Sequence, residues 1–166
     1  GARAGSSPEI VKAAHGHEAE HVAAQIRALL EEQRIPPQNI AVLCYQAYKR
    51  ARIVAALEKV GVLCQSHDGT SDLRLTDPSV KVLTMHSAKG LEFPVVFLVA
   101  SARDLRVPTA HSEPADAAAF IARTRKVLYM AMTRALSKLT LVHDDAEGSP
   151  LDAVLSPWTL PPGQRP

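Results

Sequence analysis

The run Thr84-Met85-His86-Ser87-Ala88-Lys89-Gly90-Leu91-Glu92-Phe93 lies between two apolar segments, Val80 to Leu83 and Val95 to Val99. Each flank is about as long as a buried strand. A strand that gives way to small, hydroxyl-bearing and charged residues around a single Gly, and then to another apolar run, describes a ligand loop on an α/β sheet. Sheets of this kind hold their ligands outside the carboxyl ends of the strands.

Outward from this loop, strand and helix patterns alternate. Glu9 to Ala14 reads as a short first strand. From His17 to Glu32, the apolar residues Ala19, Val22, Ala23, Ile26, Leu29 and Leu30 make one helical face. Pro36-Pro37 stops that helix, and Ile40 to Cys44 is a continuous apolar run suited to a strand buried on both faces. A second helix is expected from about Ala47 to Val60, with Ile53, Ala56, Leu57 and Val60 on one face and Gly61 at its C-terminal cap. Val62 to Cys64 reads as a short strand and Gln65 to Ser79 as a polar loop. On the other side, Ser101 to Glu113 is irregular, a long helix runs from about Ala115 to Ala135, and Leu139 to Val142 forms a last strand. Such alternation implies right-handed crossovers and an α/β fold, a mainly parallel sheet flanked by helices. Past His143 the chain turns acidic and Pro-rich, with only Leu151 to Leu155 offering a helical turn. The expected organisation is a linker or cloning remnant over 1–7, one domain over 8–145 and a Pro-rich tail over 146–166.

Composition agrees with a single domain that has a real core: 166 residues, 46% hydrophobic and 22% charged. Aromatics are only 4%, so the core must be built from Leu, Val, Ile and Ala. A net charge of +2 is compatible with a polyanionic partner without demanding one. Cys44 and Cys64 each lie in an apolar run with no C-x-x-C spacing, which points away from a zinc knuckle or disulfide framework and toward a reducing, cytoplasmic setting. No apolar stretch is long enough to span a bilayer, and no membrane partner is expected.

The long helix carries one residue out of pattern. Its apolar face runs Phe120, Val127, Leu128, Ala131, and one heptad beyond Val127 the stripe lands on Arg134. The bland reading is a helix-end Arg whose stem covers the core while its head reaches water. Arg134 lies within Tyr129-Met130-Ala131-Met132-Thr133-Arg134-Ala135. Together with the run from Thr84, that stretch resembles motifs V and VI of the UvrD/Rep-like superfamily-one DNA helicases, and the likeness extends from about Pro8 to Asp144. The resemblance implies the second, C-terminal RecA-like domain of such a helicase, a P-loop NTPase-type fold. The chain has no G-x-x-x-x-G-K-[ST] run and so no P-loop of its own.

In the resembling family, the residues matching Thr84, His86 and Ser87 approach the phosphates of single-stranded DNA. Those matching Lys89, Gly90 and Glu92 lie toward the nucleotide, with the Glu92 carboxylate suited to accept from a ribose hydroxyl. Arg134 matches the residue that reaches the ATP γ-phosphate across a domain cleft, a task suited to a permanently charged, planar guanidinium. What the resemblance implies is thus an ATP-dependent helicase, typically moving 3′ to 5′. ATP and Mg²⁺ would be bound mainly by an N-terminal RecA-like domain, and the isolated chain is expected to be an inactive monomer.

Three departures from the family pattern stand out. Only Gln65 to Ser79 occupies the place where larger members insert a helical subdomain. Tyr45 stands where the family often has a phosphate-contacting Arg, a role left to Arg50 or Arg52. The acidic pair usual before motif VI is replaced around Arg123 and Thr124. Two other readings remain open: a non-catalytic RecA-like module that binds DNA or protein, and a zinc peptidase. The second rests on His17-Glu18-Ala19-Glu20-His21, which matches H-E-x-x-H. Both of those histidines fall off the apolar stripe and no third ligand is evident, so no metal is expected.

Overall fold

The computed structural model describes residues 8–45, 47–66, 73–100, 111 and 113–144. In chain order they form β1 (Glu9–Lys12), α1 (Glu18–Glu32), a 3₁₀ turn (Pro37–Asn39), β2 (Ile40–Cys44), α2 (Tyr48–Lys59), β3 (Cys64–Ser66), β4 (Val80–Thr84), β5 (Phe93–Ala100), α3 (Pro114–Met132) and β6 (Ala135–His143). The strands make one six-stranded sheet in the order β1-β6-β5-β2-β4-β3. Every pairing is parallel.

Strand residues alternate between two cores, as the period of two requires. On one face Ile40, Val42, Cys44, Val80, Val82, Phe97 and Val99 pack against Val22, Ile26 and Leu29 of α1 and Ile53 and Leu57 of α2. On the other, Ala41, Leu43, Leu83, Val96, Leu98 and Leu141 pack against Ala88 and against Phe120 and Ala131 of α3. Helices therefore cover both faces, which is why β2 is fully buried along its length.

Phe93 breaks the alternation instructively. It belongs to the second core although Val95, Phe97 and Val99 belong to the first. The register of β5 on β6 shifts between Phe93 (opposite Ala135) and Val95 (opposite Lys138). Pro94, which has no N–H to give the ladder, sits in that irregularity, where a strand interior tolerates proline.

Several boundaries differ from the sequence reading. Strand β3 begins at Cys64 because the Val62 N–H turns back to the Leu57 carbonyl (2.9 Å) and closes the end of α2. Pairing then starts opposite Val80. Strand β6 begins at Ala135, earlier than the apolar run indicates, because its first half carries the exposed Leu136 and Ser137. Helix α3 ends at Met132, short of Ala135. The side chains of Val127 and Leu128, the 146–166 tail with Leu151 to Leu155, and most of the Ser101–Glu113 segment lie outside the described residues.

Candidate functional site

The loop from Met85 to Glu92 is a crossover, and its course follows from register. Thr84 is level with Cys44, and Cys44 is level with Val99. Strand β5 starts at Phe93, well below Val99, so the chain must return about 20 Å along the sheet at ~3.3 Å per residue. It does so over β2, the strand between β4 and β5, and buries Ala88 fully against the second core.

Local hydrogen bonds fix the loop's start. The Thr84 hydroxyl donates to Ser87 Oγ (2.9 Å) and accepts the Ser87 N–H (3.1 Å). The Ala88 N–H reaches the Thr84 carbonyl (3.1 Å), and the Met85 N–H reaches that of Cys44 (3.1 Å). Thr84 and Ser87 are thus held as a pair, leaving His86 exposed between them. Gly90 adopts φ +83°, the left-handed region that favours glycine, and the Leu91 N–H closes onto Ala88 (2.9 Å).

Arg134 does not lie on the helix. It lies in the turn between α3 and β6, because the Thr133 N–H goes to the Tyr129 carbonyl (3.1 Å), the Thr133 hydroxyl to Met130 (2.6 Å) and the Arg134 N–H to Ala131 (3.0 Å). The helix therefore ends two residues before Arg134, and extending its apolar stripe by a heptad does not describe where Arg134 sits. The Arg134 carbonyl accepts from the Phe93 N–H (2.8 Å), which locks this turn to the end of the crossover loop. Its Nε lies 3.4 Å from the Met130 carbonyl.

These elements enclose a pocket of about 210 Å³, lined by Tyr45, Met85, His86, Lys89, Met130, Ala131 and Arg134. Tyr45, Met85 and His86 follow the carboxyl ends of β2 and β4, whereas Met130 to Arg134 come from the amino end of β6. The site therefore spans the sheet face and is not confined to one edge. Lys89 and Arg134 bring two cations to one concavity that, among the described residues, no carboxylate lines, an arrangement suited to phosphate. Its volume falls below the ~300–1,000 Å³ usual for a complete small-molecule site, as a partial site would. Glu92 and Gly90 are exposed and outside this lining, and Thr84 and Ser87 stay with the loop's own bonds.

Sequence reasoning missed Tyr45, Met85, Met130 and Ala131 as lining residues. The signal available was their position immediately after strands or inside motif VI. Neither Arg50 nor Arg52 joins Tyr45 in the pocket. Arg50 Nε lies 3.4 Å from the Ala47 carbonyl, and Arg52 reaches the Gly16 carbonyl (3.5 Å). Thr124, in place of an acidic residue, is buried. His17 and His21 do not converge on Glu18: His17 is exposed, and His21 Nε2 meets the Gln25 amide (2.8 Å). Among the described residues, the one group able to present three metal-ligand atoms together is His15, Glu18 and Asp144.

The profile of the UvrD-like helicase C-terminal domain matches residues 63–145. DNA helicase II of Escherichia coli (strain K12) is 40% identical over 65 residues, which are 39% of this chain and 9% of that protein. ATP-dependent DNA helicase PcrA of Staphylococcus aureus (strain MRSA252) is 37% identical over 68 residues, 41% of this chain and 9% of that protein. The chain thus matches about a tenth of the length of these relatives. In fold it is similar to the C-terminal domain of a possible DNA helicase from Lactobacillus plantarum WCFS1, with a TM-score of 0.60 at 22% identity over 84% of this chain and 74% of that one. The C-terminal domain of the DEAD-box protein Dbp5 aligns with a TM-score of 0.58 at 9% identity, over 94% of this chain and 86% of that one.

Proposed function

The chain belongs to the UvrD-like helicase C-terminal domain family, and from that premise we propose that it is the second motor domain of an ATP-dependent DNA helicase acting on single-stranded DNA, with 3′ to 5′ polarity. The observation that carries this reading is the meeting of Lys89 and Arg134 in one concavity. One comes from the motif V loop and the other from the motif VI turn, joined by the Phe93–Arg134 hydrogen bond.

An N-terminal RecA-like domain supplies the P-loop and the acidic Mg²⁺ ligands, since among the described residues no carboxylate lines this pocket. When bound, MgATP provides the phosphoryl group whose transfer to water drives movement. Arg134 stabilises the charge that develops on the γ-phosphate, and Lys89 adds a second positive charge beside it. Gly90 and Glu92 lie on the rim, where Glu92 accepts from the ribose. Thr84, His86 and Ser87 contact DNA phosphates, with His86 the most accessible of the three. Closing and opening the cleft between the two domains moves the DNA-contacting loop relative to its counterpart. By itself the chain offers half a cleft, so it is inactive and binds nucleotide weakly.

The test uses the full-length protein. Arg134→Ala should lower steady-state ATP turnover by roughly 10³-fold or more, with single-stranded DNA affinity and thermal melting near wild type. Arg134→Lys should restore little, because an ammonium lacks the planar fork. If the Ala variant hydrolyses ATP within a few-fold of wild type, Arg134 is a turn residue whose head merely meets solvent, and a non-catalytic binding module becomes the better reading.

A further inference from the structure

Away from the pocket, at the carboxyl ends of β1 and β6, the fold gathers residues to which neither the helicase motifs nor the proposed mechanism gives a role. The two strands are adjacent and parallel, with Lys12 level with His143. The Ala13 N–H extends the ladder by one more bond to the His143 carbonyl (2.7 Å). Both chains therefore leave the sheet at the same place. From β6 the next residue is Asp144. From β1 the chain turns through Gly16, whose φ of +79° sends it back on itself before α1 starts at Glu18. The turn brings His15 Nδ1 to 2.8 Å from Asp144 Oδ2. A carboxylate oxygen of Glu18 completes a group of three ligand atoms that all lie within 4.8 Å of one another.

Glu18 is the informative member. It is only 2% exposed, and its Oε1 is buried with no hydrogen-bond partner. Asp144 beside it is equally enclosed, with 2% of its side chain exposed. Desolvating a carboxylate costs several kcal/mol unless a cation or full hydrogen bonding offsets it. Lys49, from the first turn of α2, acts on Glu18 as one positive charge, and the N-terminus of α1 adds a partial one. The Glu18 carboxyl also shares a side-chain hydrogen bond with Asp144, which leaves the unpartnered Oε1 as the open ligand atom.

The geometry points to a divalent-cation site formed by His15, Glu18 and Asp144, with one imidazole and two carboxylates as ligands. Such a mixed N/O set suits a borderline ion of the Zn²⁺ class, with water as the fourth ligand. Bound ligand atoms stand ~2.0–2.2 Å from zinc, so a group spread over less than 4.8 Å closes on the ion by small side-chain rotations. The His15 side chain is 80% exposed, which leaves a path for the ion and room for water. The ion would tie the β1–α1 turn to the end of β6. This inference stands independently of the helicase reading, with which it shares no residue.

The experiment titrates untagged, chelator-stripped chain with Zn²⁺ by calorimetry and follows its melting temperature. One Zn²⁺ per chain is expected, with a rise in melting temperature on binding. His15→Ala, a change at an exposed side chain that leaves the core intact, should weaken binding at least tenfold. Asp144→Asn should do the same. His17→Ala and His21→Ala should leave it unchanged, which separates this site from the H-E-x-x-H pattern. Absence of Zn²⁺ binding, binding that survives His15→Ala within a factor of two, or binding lost on His17→Ala would each overturn the assignment.

Discussion

Lys81 shows how far a single residue can depart from what its neighbours indicate. It stands inside the apolar strand β4 with no exposed surface, a position where the sequence pattern calls for a hydrophobe. Its ammonium donates to the Asp77 carbonyl (2.9 Å), the Ser79 carbonyl (2.8 Å) and the Ser79 hydroxyl (2.9 Å). It thereby folds the end of the preceding loop down onto the strand. Burial holds its pKa below the ordinary lysine value, while the Asp77 carboxylate pulls the other way. Between that lowered value and the ordinary one near 10.4, the folded chain binds fewer protons than the unfolded chain, so stability rises with pH across the interval. Lys81→Met should remove this dependence and, by leaving the Ser79 acceptors unpaired, cost about 1–3 kcal/mol at neutral pH. Urea unfolding of both proteins from neutral to alkaline pH measures it: the wild-type advantage should grow as pH rises. An advantage that stays constant would mean that the ammonium is solvated. Arg134 teaches the complementary lesson. Its identity was legible from the motif, but its place was not, because Thr133 and Arg134 close the helix through local hydrogen bonds that periodicity does not register.

The element that matters most is the crossover loop between β4 and β5. Its flanking strands were readable as apolar runs, and its single Gly marked a special backbone position. That position can be tested in isolation. A Cβ at Gly90 would meet nothing within 4 Å, so the cost of Gly90→Ala is backbone strain alone. At φ +83° that should be about 1 kcal/mol. Gly90→Asn should lose less, since asparagine tolerates the left-handed region better. Chemical denaturation of the three proteins gives the comparison. An alanine variant as stable as wild type would show that the loop relaxes to a negative φ. Unreadable from sequence was the loop's path over β2, because the neighbours of β4 and β5 in the sheet depend on strand order. The α3 boundary has the same origin: β6 starts early because Ala135 pairs with Phe93 across the bulge at Pro94.

At the scale of the molecule, the sheet has a protected centre and two short edges. Strands β2 and β5 are flanked on both sides and covered on both faces, whereas β1 and β3 are edges of four and three residues. Short edges resist pairing with other chains. Amide exchange should therefore be slowest over Ile40–Cys44 and Val95–Val99, near the global unfolding limit, and fastest in Cys64–Ser66. Equal protection of β3 and β2 in exchange followed by mass spectrometry would contradict this arrangement. No helix among the described residues is long and apolar enough to cross a membrane.

Sequence alone determined the class of fold. Apolar runs, helical faces and their alternation are local properties, and each reports which side of an element meets a core. It also marked Lys89, Gly90 and Glu92 through the family resemblance of their loop, and Arg134 as a charge on the apolar stripe, because motifs and periodicity are visible along one chain. Only tertiary structure decided which of these meet. Lys89 and Arg134 share a pocket with Tyr45, while Glu92 is exposed and outside its lining. His15 finds Asp144 across 129 positions, and His17 and His21 do not converge on a metal site. The physical reason is common to all of them. Strand order in a parallel sheet is set by packing of the whole core, and it places side by side residues whose separation along the chain carries no trace of their contact.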